Sequence, residues 1–379
     1  MQFNIVADEN MPNVEPWFSP YAQSIRRVAG RTLTANALKD ADVLLVRSIT
    51  QVNKNLLSGT PVKFVGSATI GTDHIDQSFL KHQSIPFYHA PGCNAQSVVD
   101  WLLSVLCRLR LDHELNWSQK VVGVVGIGHV GSKVANRFKQ FGTKVLVCDP
   151  VKNANGELPE HIDLESLLVQ SDIVCVHAPH TRSGDYLTHQ MLNADRLSLM
   201  PKNSWLINAG RGPVIEESAL LEARVKNGLN IVLDVWPNEP SVSVPLLDAV
   251  HLASPHVAGY SLEGKFKGTE MLARAFAKEF GLTAIKSVPL PNGVTVDARL
   301  FEKSDVEQWA SEIVLALYDP ARDTAVMRFS AGNNQLDART FDALRKEYPT
   351  RREIASTTIA HAPEVLKKRL KMFGFTHFK

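Results

Sequence analysis

Val121 to Asp149 reads VVGVVGIGHVGSKVANRFKQFGTKVLVCD, and its hydrophobic period changes midway. The β-branched run Val121–Val125 suits a buried strand. Gly126, Gly128 and Gly131 then stand at the spacing G-x-G-x-x-G, and Val134 to Phe141 places its apolar residues at helical period. Strand, tight turn and helix follow in that order. One glycine makes the turn, one lets the backbone approach a pyrophosphate, and one lets helix and strand pack closely. Free N–H groups and the dipole at the helix start favour phosphate charge. A second strand, Lys144 to Cys148, ends in Asp149, about twenty residues past the glycines, where a carboxylate can grip a ribose diol. A free 2′-hydroxyl there means NAD as the cofactor.

Composition narrows what surrounds this unit. At 379 residues the chain is long enough for two or three domains. With 41 Lys+Arg against 39 Asp+Glu, nothing argues for a nucleic-acid or membrane surface. Cys93, Cys107, Cys148 and Cys175 lie far apart without metal spacing, so no metal site is expected and buried, reduced thiols are. The chain enters a strand-like FNIVAD directly, and no apolar run reaches membrane-spanning length. These features predict a cytoplasmic protein.

The fold class expected is α/β, with two doubly wound parallel-sheet domains and a small C-terminal α+β domain. Phe3–Ala7, Val43–Val46, Val62–Val65 and Pro86–Tyr88 read as buried strands of a first domain, and Asn94 to Leu111 as a long connecting helix. Further strands at Ile173–Val176, Trp205–Ile207, Ile231–Leu233 and His251–Ala253 bring the dinucleotide sheet to six. A second long helix, Leu262 to Phe280, returns toward the first domain, and SVPLPNG at Ser287–Gly293 reads as a linker. The boundaries are thus 1–93 with 260–286 for the substrate domain, 94–259 for the Rossmann domain, and 287–379 for the C-terminal domain. In that last segment a helix is expected at Asp305 to Tyr318, a short strand near Ala325 to Phe329, and a helix at Pro363 to Phe373.

Ligands of open α/β sheets gather beyond the carboxyl ends of the strands, and polar residues cluster there. In the first domain these include Arg47, Ser48 and Thr69; in the second, His177, Asn208 to Arg211, Asp234 and His256. Arg211 in INAGRGPV, Glu239 in LDVWPNEP and His256 in SPHVAGYS stand out. Hydride transfer from a 2-hydroxy acid needs a base for the hydroxyl proton, a cation for the carboxylate, and a carboxylate to orient the base. Spacing alone leaves structural roles open for all three.

The glycine motif with Asp149, NAGRG, DVWPNEP and SPHVAGYS, in this order, resemble the D-2-hydroxyacid dehydrogenase family over residues 1 to about 285. The resemblance implies that Arg211 binds the substrate carboxylate, that His256 is the acid/base and that Glu239 pairs with it. It implies cofactor contacts at Gly126, Gly128, His129, Val130, Gly131, Asp149, Ala178, Ala209, Gly210, Arg211, Asp234 and Gly259. Ala178 stands where family members can carry threonine. VADEN, LLVRSIT, KFVGSATIGTDHID, APGCNA and AGYSLEGKFKGT are similar to a branch of that family acting on a phosphorylated hydroxy acid, which implies substrate contacts at Ser48, Thr69 and Tyr260. Arg47, beside Ser48, is expected to offer a cation to the phosphate.

The branch also implies a homodimer through the C-terminal domain. Trp309, Ile313, Leu317, Leu366, Leu370 and Phe373 are expected to supply the joining faces, and Arg351 with Arg352 to reach a neighbouring subunit's cleft. Two other readings stand beside the enzyme: a dehydrogenase for another phosphorylated 2-hydroxy acid such as 3-phosphoglycerate, and a non-catalytic NAD(H)-sensing binding protein of the corepressor kind.

Overall fold

A computed structural model describes residues 2–283, 287–332 and 334–379. The chain separates into two compact units, residues 1–94 with 260–292, and residues 95–259 with 293–379. Residue 286, at the boundary read between 286 and 287, lies outside the described residues.

The first unit holds a five-stranded parallel sheet of β1 (Phe3–Asp8), β2 (Ala22–Val28), β3 (Val43–Val46), β4 (Phe64–Ser67) and β5 (Phe87–His89), in the order β2-β1-β3-β4-β5. Its apolar runs are continuous because alternate residues serve opposite faces. Phe3, Ile5, Val43, Leu45 and Phe64 face one core, shared with Leu272, Ala273 and Phe276 from the helix Leu262–Glu279. Val6, Leu44, Val46 and Val65 face the other, with Leu56, Leu57 and Leu80. Strand order reverses between β1 and β3, so Asp8 and Arg47 follow the strands that flank the crevice where such sheets bind ligands. β2 was not expected: AQSIRRV is an edge strand with no buried residue, so its sequence lacks the apolar run that marked the others.

The second unit holds β6 (Val121–Val125), β7 (Lys144–Cys148), β8 (Ile173–Val176), β9 (Trp205–Asn208), β10 (Asn230–Leu233), β11 (Val242–Ser243) and β12 (Leu252–Ala253). Six of these form one parallel sheet in the order β12-β10-β9-β8-β6-β7, reversing between β6 and β8. β11 pairs instead with Gln335–Leu336, antiparallel. The helix His129–Gln140 starts directly after the glycine loop, with Gly128 as its N-cap.

Residues 293–379 add a small parallel sheet of Thr295–Asp297, Thr358–Ala360 and His377–Phe378, with helices including Val306–Leu317, Pro320–Ser330 and Glu364–Phe373. They share a unit with the dinucleotide sheet because they share its core. Trp309, Ile313, Val314, Leu366, Leu370 and Phe373 join Val98, Leu102, Val105 and Leu109 of the helix Ala95–His113, and Val122 and Val124 of β6. This corrects the expectation that those side chains supply joining faces between subunits; Ile313, Leu366, Leu370 and Phe373 are fully buried within one chain, and Leu317 packs partly buried against the same core. The strand expected near Ala325–Phe329 is also corrected. Asp319 caps Ala321 N–H at 3.0 Å and Pro320 takes the first helical position, a start signal that outweighs the β-branched Thr324 and Val326.

Candidate functional site

The three glycines of the second unit do different work. Gly126 has φ +86°, and a Cβ there would meet Ala178 N at 2.6 Å. A Cβ on Gly131 would lie 1.8 Å from the Gly126 carbonyl oxygen. Both positions are closed by the protein itself. At Gly128, by contrast, a Cβ would meet nothing within 4 Å, and this N-cap residue has no side chain to occupy the first-turn N–H groups. Exposed Gly128 and His129 and half-buried Val130 thus form an open helix start, while Gly126 and Gly131 hold it in place. This is the arrangement a pyrophosphate needs, so the residues fit a dinucleotide.

Asp149 ends β7 and ties the loop together. Its Oδ2 accepts Ile127 N–H at 2.8 Å, and its Oδ1 accepts Lys152 N–H at 3.1 Å. Each oxygen keeps a second lone pair for a ribose hydroxyl. Replacing Asp149 with Ala is expected to weaken NAD binding by about 10-fold or more and to narrow its advantage over NADP, the loss of a charge-assisted pair. Fluorescence titration with both cofactors checks this, and an unchanged preference would show that Asp149 does not read the ribose.

After β8, His177 has both ring nitrogens buried with no hydrogen-bond partner among the described residues, and burial drives its pKa down to about 4. It is a neutral imidazole near pH 7. Ala178 is buried, and a Cβ on Gly210 would lie 3.0 Å from its carbonyl oxygen, so this glycine lets the turn after β9 pass close. Asn208 shapes that turn: its Oδ1 accepts Gly210 N–H at 3.0 Å, and its Nδ2 donates to the Arg211 carbonyl at 3.1 Å. Half-buried Ala209 and Arg211 follow, with Arg211 Nη1 donating to the Gly210 carbonyl at 2.8 Å.

Beyond β10 and β12 the geometry is tighter. Asp234 is 1% exposed, and its Oδ1 alone accepts Ser254 Oγ–H at 2.6 Å, Val257 N–H at 2.7 Å and Ala258 N–H at 3.0 Å. Burial raises its carboxyl above the usual range, against the pull of His256 and these donors. His256 sits at φ +57°, a conformation uncommon for a non-glycine residue; its N–H donates to the Asp234 carbonyl at 2.7 Å and the Ser254 carbonyl at 3.0 Å. Its Nδ1 lies 2.7 Å from Glu239 Oε1, and Glu239 Oε2 accepts Trp236 N–H at 3.2 Å. Burial pushes Glu239 up, yet His256 and Arg345 hold it below the usual carboxylate range. An ionised Glu239 accepts the Nδ1 proton, which leaves Nε2 as the atom for proton transfer. Half-buried Gly259 ends the loop.

The first unit presents its own polar set. Ser48 is exposed after β3, and Arg47 beside it is half-buried. The Thr69 hydroxyl donates to the Gly71 carbonyl at 2.8 Å and lies 2.7 Å from Ser67 Oγ, so it meets a further group as an acceptor. Arg47 and Lys265 both approach the Tyr260 ring, at 5.5 Å and 4.8 Å from its centroid. Sequence reading missed Lys265, although it lies one helical turn beyond Ser261, the N-cap of Leu262–Glu279, and next to Tyr260 in the same segment. Arg351 is not available for a neighbouring cleft: it is 6% exposed and donates to the Ser97 carbonyl at 3.2 Å and to the Ala258 carbonyl. All four cysteines are buried and unpaired, and burial raises every thiol, Cys93 to about 11. Among the described residues no helix is long and apolar enough to cross a membrane.

Residues 106–258 match the D-isomer specific 2-hydroxyacid dehydrogenase, NAD binding domain, and residues 290–374 match a domain of unknown function (DUF3410). The D-lactate dehydrogenase of Aquifex aeolicus, solved with NAD and lactic acid, is 26% identical with a TM-score of 0.61, covering 73% of this chain and 96% of its own. The NAD-bound 3-phosphoglycerate dehydrogenase of Entamoeba histolytica shares the fold at 18% identity, with a TM-score of 0.64, covering 76% of this chain and 100% of its own. The erythronate-4-phosphate dehydrogenase of Marinobacter nauticus is 44% identical over 362 residues, 94% of each chain. That of Pseudoalteromonas translucida is 42% identical over 379 residues, 98% of this chain and 99% of its own. An identity above 40% that runs through both units, C-terminal segment included, has one consequence: the chain belongs to the erythronate-4-phosphate dehydrogenase family, within the NAD-dependent 2-hydroxyacid dehydrogenases.

Proposed function

We propose that the protein oxidises 4-phosphoerythronate to 3-hydroxy-2-oxo-4-phosphobutanoate, the step its relatives' name describes, in pyridoxal phosphate biosynthesis in the cytoplasm. The observation that carries the chemistry is the 2.7 Å pair of His256 Nδ1 and Glu239 Oε1 within the NAD-binding domain. NAD, when bound, supplies the hydride acceptor. Gly126, Gly128, His129, Val130 and Gly131 receive its pyrophosphate, Asp149 its ribose, and Ala178, Ala209, Gly210, Asp234 and Gly259 line it toward the nicotinamide. His256 Nε2 takes the C2 hydroxyl proton as the C2 hydride leaves, and Glu239 stabilises the imidazolium that forms. Arg211 holds the substrate carboxylate with its planar fork. Ser48, Thr69 and Tyr260 are assigned to the substrate's polar groups, and Arg47 with Lys265 to its phosphate. Two cations drawn to one tyrosine ring support that last assignment.

We infer a homodimer as well. Exposed Phe329 and Val326, one turn apart on the helix Pro320–Ser330, supply an apolar surface in the C-terminal segment in support of it. The deciding experiment for the activity is a panel of 4-phosphoerythronate, 3-phosphoglycerate, glycerate and lactate with NAD, followed by NADH absorbance. The highest kcat/KM is expected for 4-phosphoerythronate. A preference for 3-phosphoglycerate would reassign the substrate, and NAD binding without turnover of any would favour a sensing role.

A further inference from the structure

We propose that Thr324 and Arg351, both in the C-terminal segment, brace the loop that carries His256 and are positioning residues for proton transfer within their own chain. The inference rests on the reading of His256 as the acid/base. It gives the segment matched as a domain of unknown function a task besides assembly.

The loop needs outside support. It follows β12, a strand of only two residues whose ladder is limited to Leu252 and Ala253 against Val232 and Leu233. A backbone with so few ladder bonds does not hold a histidine at positive φ by itself. Asp234 secures the inner side through Ser254, Val257 and Ala258. Trp101 Nε1 donates to Ser254 Oγ at 3.1 Å and Trp236 Nε1 to the Ser254 carbonyl at 3.0 Å, and two further contacts come from the C-terminal segment. At the start of the loop, Thr324 Oγ1 accepts Ala253 N–H at 2.9 Å and shares its proton between the Ala253 carbonyl at 3.2 Å and the Pro320 carbonyl at 3.0 Å. At the end, Arg351 Nη2 donates to the Ala258 carbonyl while Asp234 takes the N–H of the same residue. Ala258 is thereby gripped from both sides, two residues past His256.

The two braces belong to one cluster. Arg351 lies over the Tyr318 ring at 4.7 Å, and the hydroxyls of Tyr318 and Tyr348 both donate to Asp323 Oδ2, at 2.7 Å and 2.8 Å. Asp323 immediately precedes Thr324. Burying a guanidinium is unfavourable, and among the described residues Arg351 Nη1 is buried without a hydrogen-bond partner, so stability alone is weak ground for an arginine at this position. What the arginine supplies instead is a fixed direction for the Ala258 carbonyl. Misplacing a catalytic group by about an ångström is enough to slow turnover by about 100-fold.

The test uses full-length Thr324→Val, Arg351→Met and Arg351→Lys. Kinetics with 4-phosphoerythronate and NAD are combined with hydrogen exchange of the amides of Ser254 and of His256 to Gly259. Thr324→Val and Arg351→Met are expected to lower kcat by roughly 10–100-fold with KM values nearly unchanged, and to speed exchange at His256 to Ala258 but not in β8 or β9. Arg351→Lys, which can still reach one carbonyl, should recover part of kcat. Should Arg351→Met fail to fold, the isosteric Thr324→Val decides alone. Wild-type kcat with wild-type exchange in the folded variants overturns the brace, as does faster exchange spread evenly through the sheet. His256→Ala serves as the control: if it keeps its rate, the reading of the histidine fails, and exchange in the loop still reports on the brace.

Discussion

His256→Ala should lower turnover by about 10²–10⁴-fold while NAD binds with nearly unchanged affinity, because a general base acts mainly in the chemical step. The structure sharpens this expectation. Nδ1 is engaged by Glu239 at 2.7 Å, so only Nε2 is left to take the substrate proton. Glu239→Gln should show a smaller loss. Its amide oxygen can accept the same Nδ1 proton, but it lacks the charge that stabilises an imidazolium, and a flipped amide would donate to Nδ1 and impose the wrong tautomer. Steady-state kinetics with calorimetric NAD binding check both variants. Near-normal turnover in His256→Ala would end the proposed mechanism.

The second large effect separates two glycines that look alike in sequence. Gly131→Ala would place a methyl 1.8 Å from the Gly126 carbonyl oxygen, and that carbonyl cannot swing away freely. Gly126 N–H is bonded to the Cys148 carbonyl at 2.8 Å, and Ile127 N–H to Asp149. The loop must therefore shift, at about 1–3 kcal/mol or more, with a lower melting temperature and NAD affinity reduced by at least about 10-fold. Gly128→Ala meets no protein atom within 4 Å. It should melt like the wild type, yet still bind NAD roughly 10-fold more weakly, since the methyl occupies space the pyrophosphate approaches. Thermal melts paired with NAD titrations distinguish the two. A Gly128→Ala protein with full NAD affinity would place the pyrophosphate elsewhere.

Strands buried on both faces were legible because a continuous apolar run suits them; Val121–Val125 and Ile173–Val176 appear with the bounds their patterns imply, and the partly buried edge strand Lys144–Cys148 was found through its place after the glycine motif. Ala22–Val28 was not, since an edge strand without a buried residue carries no such run. At the site, polar residues after strand ends were readable one by one, and the pairing of Glu239 with His256 followed from family resemblance. Partners that act through backbone carbonyls left no trace. Arg351 reaches Ser97 and Ala258 across 254 and 93 residues, and no local spacing encodes a bond of that kind. Lys265 shows the same limit at short range: its relation to Tyr260 depends on how the helix Leu262–Glu279 begins, not on a motif.

The helix Leu262–Glu279 has a consequence for how the chain comes into being. The core of the first unit combines Phe3 and Phe64 with Phe276, ring centroids 5.1 Å and 5.3 Å apart, so its two contributors lie at opposite ends of a long insertion. On the ribosome the first ninety-odd residues must wait, with one sheet face uncovered, until the six-stranded sheet has been synthesised. The later-encoded sheet can close first. The N-terminal segment therefore carries an uncovered apolar sheet face through the synthesis of the residues between 94 and 260.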